Sequence, residues 1–221
     1  MTALFLLLFE MAFAFETTQT ATGADMVWTL VPIDYTVNLQ GLPPELDRKG
    51  ISTAIDRSFL AWERVEGADV AFVWSGDSAN EVHWDSAWPY DPDVMALTST
   101  WATDSGVLLA FDVAINGQGG GWTLDASGRD LQNAMTHEVG HVLGLAHNGA
   151  EPEATMFPTT VIGETSKRDL HEDDEAGVRY LYPQAVDGVF LDASCSSTAV
   201  SPSALVMLLV AGLASRRRRS A

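Results

Sequence analysis

The sequence predicts an α+β fold, and three observations carry that reading. Residues 94–101 and 107–116 are apolar runs of β type joined by a short turn at 103–106. Residues 45–65 instead place Leu46, Ile51, Ile55, Phe59, Leu60 and Trp62 close to helical spacing. A second helical stretch ends near Gly144 and puts Leu131, Ala134, Met135, Val139 and Val142 on or near one face. The chain has 221 residues, 47% of them hydrophobic, which suffices for one domain with a sizeable core.

Taken in order, a Thr-rich lead at 16–23 precedes a first strand over 27–38, where Pro32 marks an edge or a bulge. Leu42, Pro43 and Pro44 form a turn, and the helix over 45–65 is expected to pack on a sheet. Residues 68–74 are a short β-rich run and 76–80 a turn. Residues 81–93, with Trp84, Trp88, Pro89, Tyr90 and Pro92, read as a loop. The two strands follow, then a glycine-rich loop at 117–121, then the second helix with Ser127 or Asp130 as its cap. Residues 167–181 begin with charge and continue as a C-terminal helix. There Asp173 and Asp174 read as a solvated first turn that complements the helix dipole. The sequence has no internal repeat and gives no sign of a second domain.

The most specific stretch is HEVGHVLGLAH, residues 137–147. His137 and His141 are four residues apart, so on a helix they leave the same face and can share one Zn²⁺. Glu138, about 100° further round, borders the site as a candidate general base. His147 would point away from the metal if the helix continued. Gly144 resolves this, because glycine accepts the left-handed conformation that ends a helix and turns the chain back. Three imidazoles leave the fourth tetrahedral position open for water, the pattern of a catalytic zinc. A purely structural zinc would usually close its shell with cysteine, and the single cysteine, Cys195, lies far along the chain.

Lys and Arg total 12 against 30 Asp and Glu, a net charge of −18. Setting aside Arg216, Arg217, Arg218, Arg219 and Glu10 in the terminal segments leaves a body charge of −21. So acidic a body excludes nucleic acid as a partner and fits solubility, divalent cations or basic substrates. Calcium is therefore a candidate ligand, with Asp85, Asp91, Asp93, Asp104 and Asp112 as candidate donors; a generally acidic surface accounts for the charge equally well. Residues 1–14, apolar and ending Ala12-Phe13-Ala14, read as a secretory signal too short to span a membrane. Residues 185–202 read as a linker containing Cys195. Residues 203–221 combine an apolar run with four arginines, which the positive-inside rule would keep cytoplasmic. The tail thus reads as a sorting signal touching the membrane before processing, or as a plain tail anchor. Either places the body outside the cell or at its surface, as a monomer.

The extended histidine pattern, with Met156 in ATMFP nine residues after His147, resembles the metzincin clan of zinc peptidases and their methionine turn. WTLVPIDYTVN, FLAWERV, ALTST, AFDVAIN, DLQNAMTHEVGHVLGLAHN and DLHEDDEAGVRYLYP together resemble a minimal bacterial matrixin domain over residues 26–184, after a short lead at 15–25. Cys195, the apolar run and the arginines resemble the C-terminal sorting signals of myxobacterial surface proteins. The matrixin resemblance implies a twisted mixed sheet with a long N-terminal helix, an active-site helix and a C-terminal helix. It implies zinc-dependent hydrolysis of protein or peptide substrates, with His137, His141 and His147 as ligands, Glu138 as base, and Gly144 and Met156 as structural support. It implies an edge strand in which Met95, Ala96, Leu97 and Thr98 pair with substrate, and a specificity wall from Phe157, Pro158, Thr159 and Thr160; the plain alternative is an edge strand alone. It also implies that Asp173 or Asp174 bonds the methionine turn. Asn148 stands where matrixins usually carry Ser, the tyrosine often found at the position of Thr160 is absent, and no cysteine-switch motif precedes the domain. Thr98 and Ala110 appear at positions where animal matrixins place histidines of a second zinc site. One catalytic zinc is therefore expected, with His83 in a Trp-rich loop and His171 beside the last helix. The rival class is a non-catalytic surface binding module that zinc merely stabilises.

Overall fold

The computed structural model describes residues 13–118 and 121–185. The signal reading therefore lies outside the described residues except for Phe13 and Ala14, and the tail reading lies outside them entirely. A five-stranded mixed sheet has the order β2-β1-β3-β5-β4, built from β1 (Ile33–Asn38), β2 (Phe72–Trp74), β3 (Glu81–Asp85), β4 (Ala96–Ala102) and β5 (Leu108–Asn116). All pairings are parallel except β4 with β5, which run antiparallel and leave β4 at the edge. The helices are α1 (Arg48–Glu63), α2 (Leu131–Val142) and α3 (Glu172–Leu181). A two-stranded ladder, β6 (Trp122–Thr123) with β7 (Arg129–Asp130), leads into α2.

Two strand boundaries differ from the sequence reading. The first strand starts at Ile33, because Pro32 lacks the N–H a ladder needs and Val27 makes only an isolated bridge to Val107. Residues 81–85 are not a loop but β3, at the centre of the sheet. Their alternation was present: Val82 and Trp84 are buried while Glu81, His83 and Asp85 between them are not. The Trp- and Pro-rich run that follows concealed a five-residue strand.

The core forms where α1 and α2 cover the inner sheet face. Ile51, Ile55, Phe59 and Trp62 of α1 are buried with Val82, Phe111, Val113 and Ile115 of the sheet and Leu131, Met135, Val139 and Val142 of α2. Phe59 stacks on Tyr35 at 4.1 Å between ring centroids and meets Phe72 edge-on at 4.8 Å. Trp62 also donates through Nε1 to the Thr136 carbonyl at 2.9 Å, which fixes α1 against α2. Asp47 caps α1 and Asp130 caps α2, the latter accepting from Asn133 N–H at 2.9 Å.

The end of α2 is unusually well closed. The last carbonyls of a helix lack intrahelical donors. Here Trp28 Nε1 donates to Val142 O at 2.8 Å and Tyr182 Oη to Leu143 O at 2.8 Å. Gly144 then takes φ +90, and a Cβ there would lie 2.0 Å from the Met26 carbonyl oxygen. Only glycine fits, on both backbone and steric grounds. The lead strand crosses this turn: Thr18 N–H donates to Gly144 O at 2.7 Å and Ala146 N–H to Glu16 O at 2.8 Å. Gly144→Ala should therefore cost at least about 2 kcal/mol, from the left-handed backbone alone before the clash is counted. Thermal melting checks this, and a Tm equal to that of the native chain would refute it.

Candidate metal centre and cleft

The turn at Gly144 brings His147 back over α2. Its Nε2 lies 3.1 Å from Nε2 of His137 and 3.1 Å from Nε2 of His141. The remaining nitrogens decide the protonation. His137 Nδ1 is 2.6 Å from the Thr155 carbonyl and His141 Nδ1 2.8 Å from the Leu145 carbonyl. A carbonyl only accepts, so both Nδ1 atoms carry the proton and both Nε2 atoms present lone pairs. Both lone pairs face His147 Nε2, so the three nitrogens can share a proton or a cation, and the donor set suits Zn²⁺. Burial, as the first cause, lowers the pKa of all three imidazoles below the usual histidine range, which favours the neutral, ligating form. The three residues form one of two groups of potential metal ligands among the described residues.

Glu138 is buried beside the triad, 7% exposed. Burial pushes its carboxyl up to about 6, against the lowering effect of a hydrogen bond from Thr98. Thr98 Oγ1 lies 2.6 Å from Glu138 Oε2 and 3.2 Å from the Glu138 carbonyl. Thr98 thus turns to the inner sheet face, paired with buried Val113.

Met156 lies beneath the triad. A Cβ on Gly140 would come within 2.2 Å of Met156 Sδ, so the glycine inside HEVGH makes room for the methionine. The Met156 turn is held by Asp174, whose Oδ1 accepts from Met156 N–H at 3.0 Å and whose Oδ2 accepts from Thr155 N–H at 2.6 Å and His171 N–H at 3.0 Å. Asp173 accepts from Asn148 Nδ2 at 2.7 Å and from Ala14 N–H at 2.6 Å. Neither aspartate is a solvated helix start: they are 4% and 1% exposed. The C-terminal helix also begins later than expected, at Glu172, with His171 as its cap. Asn148, whose Oδ1 accepts from Ala150 N–H at 2.9 Å, fills its position with both amide ends bonded.

An open cleft of about 580 Å³ runs past the triad, lined on one side by Met95, Ala96, Leu97 and Thr98 and on the other by Pro158, Thr159 and Thr160. Phe157 is not part of the lining; it contributes its carbonyl, which accepts from Lys167 Nζ at 2.5 Å. Sequence reasoning missed Lys167, which is 4% exposed, lines the cleft and also donates to Thr159 O at 2.8 Å. It likewise missed Asn133, which donates to Thr160 Oγ1 at 3.1 Å and accepts from Lys167 N–H at 2.9 Å. Nothing in a polar run distinguishes a buried lysine from a solvated one, so neither residue left a signal.

The five aspartates considered for calcium are dispersed. Asp85 accepts from Ala87 N–H, Asp91 from Asp93 N–H, and Asp93 pairs with Arg129. No three of the five converge among the described residues. His83 corrects the expectation differently: it lies on β3 next to Asp112, not in a loop apart from other ligands.

An α+β domain whose helix and returning chain converge three imidazoles beside a buried carboxylate, above a methionine turn, defines a metzincin-type metal centre. The matrixin family model matches residues 27–183, and the chain belongs to that family. Among curated relatives, rat stromelysin-1 is 30% identical over 173 residues, covering 74% of this chain and 35% of its own length. Human matrix metalloproteinase-20 is 28% identical over 155 residues, covering 66% and 31%. Metalloendoproteinase 2-MMP of Arabidopsis thaliana is 47% identical over 53 residues, 24% of this chain and 14% of the relative. The chain thus spans about a third of the length of the first of these.

Asp174→Ala should destabilise the domain by about 3 kcal/mol or more, since three N–H groups lose a charged acceptor at once. Zinc retention should fall with it, because the Thr155 carbonyl orients His137. Asp174→Asn should recover part of both. Denaturant melts and metal content measured on the two variants check this; an unaltered midpoint in Asp174→Ala would refute it.

Proposed function

We propose that this protein is a zinc-dependent endopeptidase. The observation that carries the reading is Glu138, buried yet bordering the open cleft, bonded through Oε2 to Thr98, immediately beside three convergent imidazole nitrogens. A zinc that only stabilised a binding module would require neither the carboxylate nor the cleft. His137, His141 and His147 would hold the ion, which when bound supplies Lewis acidity toward a scissile carbonyl and makes a water more acidic. Glu138 would accept a proton from a water held there on its second oxygen and return it to the leaving amine; a carboxyl raised to about 6 suits both transfers near neutrality. Thr98 keeps the carboxylate from swinging out of line. Edge strand β4 has a free side along which, past Met95, Ala96 and Leu97, an extended peptide can add as a further strand. Pro158, Thr159 and Thr160, braced by Lys167 and Asn133, form the facing wall that receives one substrate side chain.

Casein or peptide cleavage by purified, zinc-loaded protein tests this. A chelator should abolish it and added zinc restore it. Glu138→Ala should retain zinc and fold while kcat/KM falls by several orders of magnitude, and Thr98→Val should lose about tenfold with zinc retained. Hydrolysis at the native rate in Glu138→Ala would overturn the assignment. Absence of any zinc-dependent cleavage across a proteome-derived peptide library would favour the binding-module alternative.

We further propose export to the cell surface or beyond, from the composition of the two chain ends. If residues 204–219 are a sorting signal, the intact mass of surface-released protein should lack Arg216 to Arg219. A mass that includes them would favour a simple anchor.

A further inference from the structure

The second group of potential ligands lies on the opposite face of the sheet. Glu81 on β3 stands directly across from Asp112 on β5, and His83, two residues on, shares their face. That face is the outer one, because Val82 and Trp84 between them enter the core beneath α1. The position opposite His83 is Ala114, whose small side chain leaves room for the imidazole to lean toward the carboxylates. One ring nitrogen, one Glu oxygen and one Asp oxygen all lie within 4.8 Å of one another.

Two details set this group apart from an ordinary ion pair. His83 Nδ1 is 3.1 Å from Asp112 Oδ1, and the atom is enclosed without a well-aligned hydrogen bond. The contact is close but off the line an N–H would need. Bonds of about 2.1 Å at a tetrahedral ion place neighbouring donor atoms about 3.4 Å apart, a spacing this contact is close to. The triad in the cleft has the same 3.1 Å spacing between its donor nitrogens. Secondly, Glu81 and Asp112 put like charges directly across a strand pair, which is destabilising unless something positive lies between. Asp112 registers the crowding: burial first, with Glu81 adding to it and His83 opposing it, raises its carboxyl above the usual range.

We propose that Glu81, His83 and Asp112 bind a second divalent ion, Zn²⁺, whose role is to pin β3 to β5. Imidazole selects a first-row transition ion over calcium or magnesium, and two carboxylates with one nitrogen leave a fourth position for water. The proposal is independent of whether the cleft hydrolyses peptides.

The experiment uses the full chain carrying His141→Ala, which weakens the cleft site and leaves the outer face untouched. Titration with zinc chloride should raise its Tm by about 5 °C and load about one zinc per chain. Adding Asp112→Asn, or separately His83→Ala, to that background should remove both effects, with circular dichroism verifying the fold of each. Two substitutions guard against one of them failing to fold. In the otherwise native chain, Asp112→Asn should lower zinc content from about two per chain to one and leave peptidase activity intact. An equal Tm in His141→Ala with and without zinc would overturn the proposal. So would a His83→Ala penalty of the same size in zinc and in chelator, which would mark a plain ion pair, or stabilisation by calcium but not zinc.

Discussion

The site depends on one requirement: the helix that carries His137 and His141 must stop, and the chain must double back within six residues to deliver His147. Gly144 at φ +90 makes the reversal possible, and the surroundings make it obligatory. Trp28 and Tyr182 occupy the terminal carbonyls of α2, Met26 fills the space a side chain would take, and the lead strand pairs across residues 144–146. Four separated parts of the chain therefore meet where the helix ends. The third imidazole is positioned by that closure and not by any contact of its own, since among the described residues its ring nitrogen meets only the other two ligands.

Around this turn, backbone carbonyls and buried charges share the remaining work. Thr155 and Leu145 set the tautomers of two ligands through their carbonyls, so side-chain identity at those positions matters less than the path of the main chain. Asp174 fixes that path for Thr155 and Met156. Lys167 does the same for the cleft wall, holding Phe157 and Thr159 by their carbonyls. Its ammonium makes no ion pair among the described residues; Glu164, Asp174 and Glu138 act on it at longer range. Arg168, by contrast, pairs directly with Asp130 at the cap of α2. α2 is thus anchored at its start by an ion pair and at its end by hydrogen bonds to carbonyls.

The convergence of His137, His141 and His147 was legible in the sequence because a fixed helical spacing and a glycine at a defined offset leave few geometries open. The long first helix and the β4–β5 pair were legible from periodicity, and their ends moved by only a few residues. β3 was not, because five alternating residues are too short a pattern to stand out beside Trp88, Pro89 and Pro92. With β3 went the surroundings of His83: its neighbour Asp112 is 29 positions away, and only strand register brings them together. Residue pattern alone read Asp173 and Asp174 as a solvated first turn, whereas the matrixin resemblance put one of them on the methionine turn, as Asp174 is. Acidic residues in a first helical turn satisfy the dipole equally well in water or in a buried network, and the sequence does not record what packs above them. Thr98 was placed in the right strand and lines the cleft, but its hydrogen bond to Glu138, 40 positions away, comes from tertiary packing that no local pattern records.

The lead segment has a consequence of a mechanical kind. Residues 14–18 are joined at Ala14 to Asp173, at Glu16 to Ala146, and at Thr18 to Gly144 and Leu145. The bridge between Thr17 and Leu145 is antiparallel, so tension along this segment would load its hydrogen bonds together in shear instead of opening them one by one. The first elements to feel such a pull would be the turn that carries His147 and the helix that holds the methionine turn. A tether or a cut in this stretch would therefore act on the histidine triad directly, although the segment contributes no ligand and touches the cleft only at Thr18.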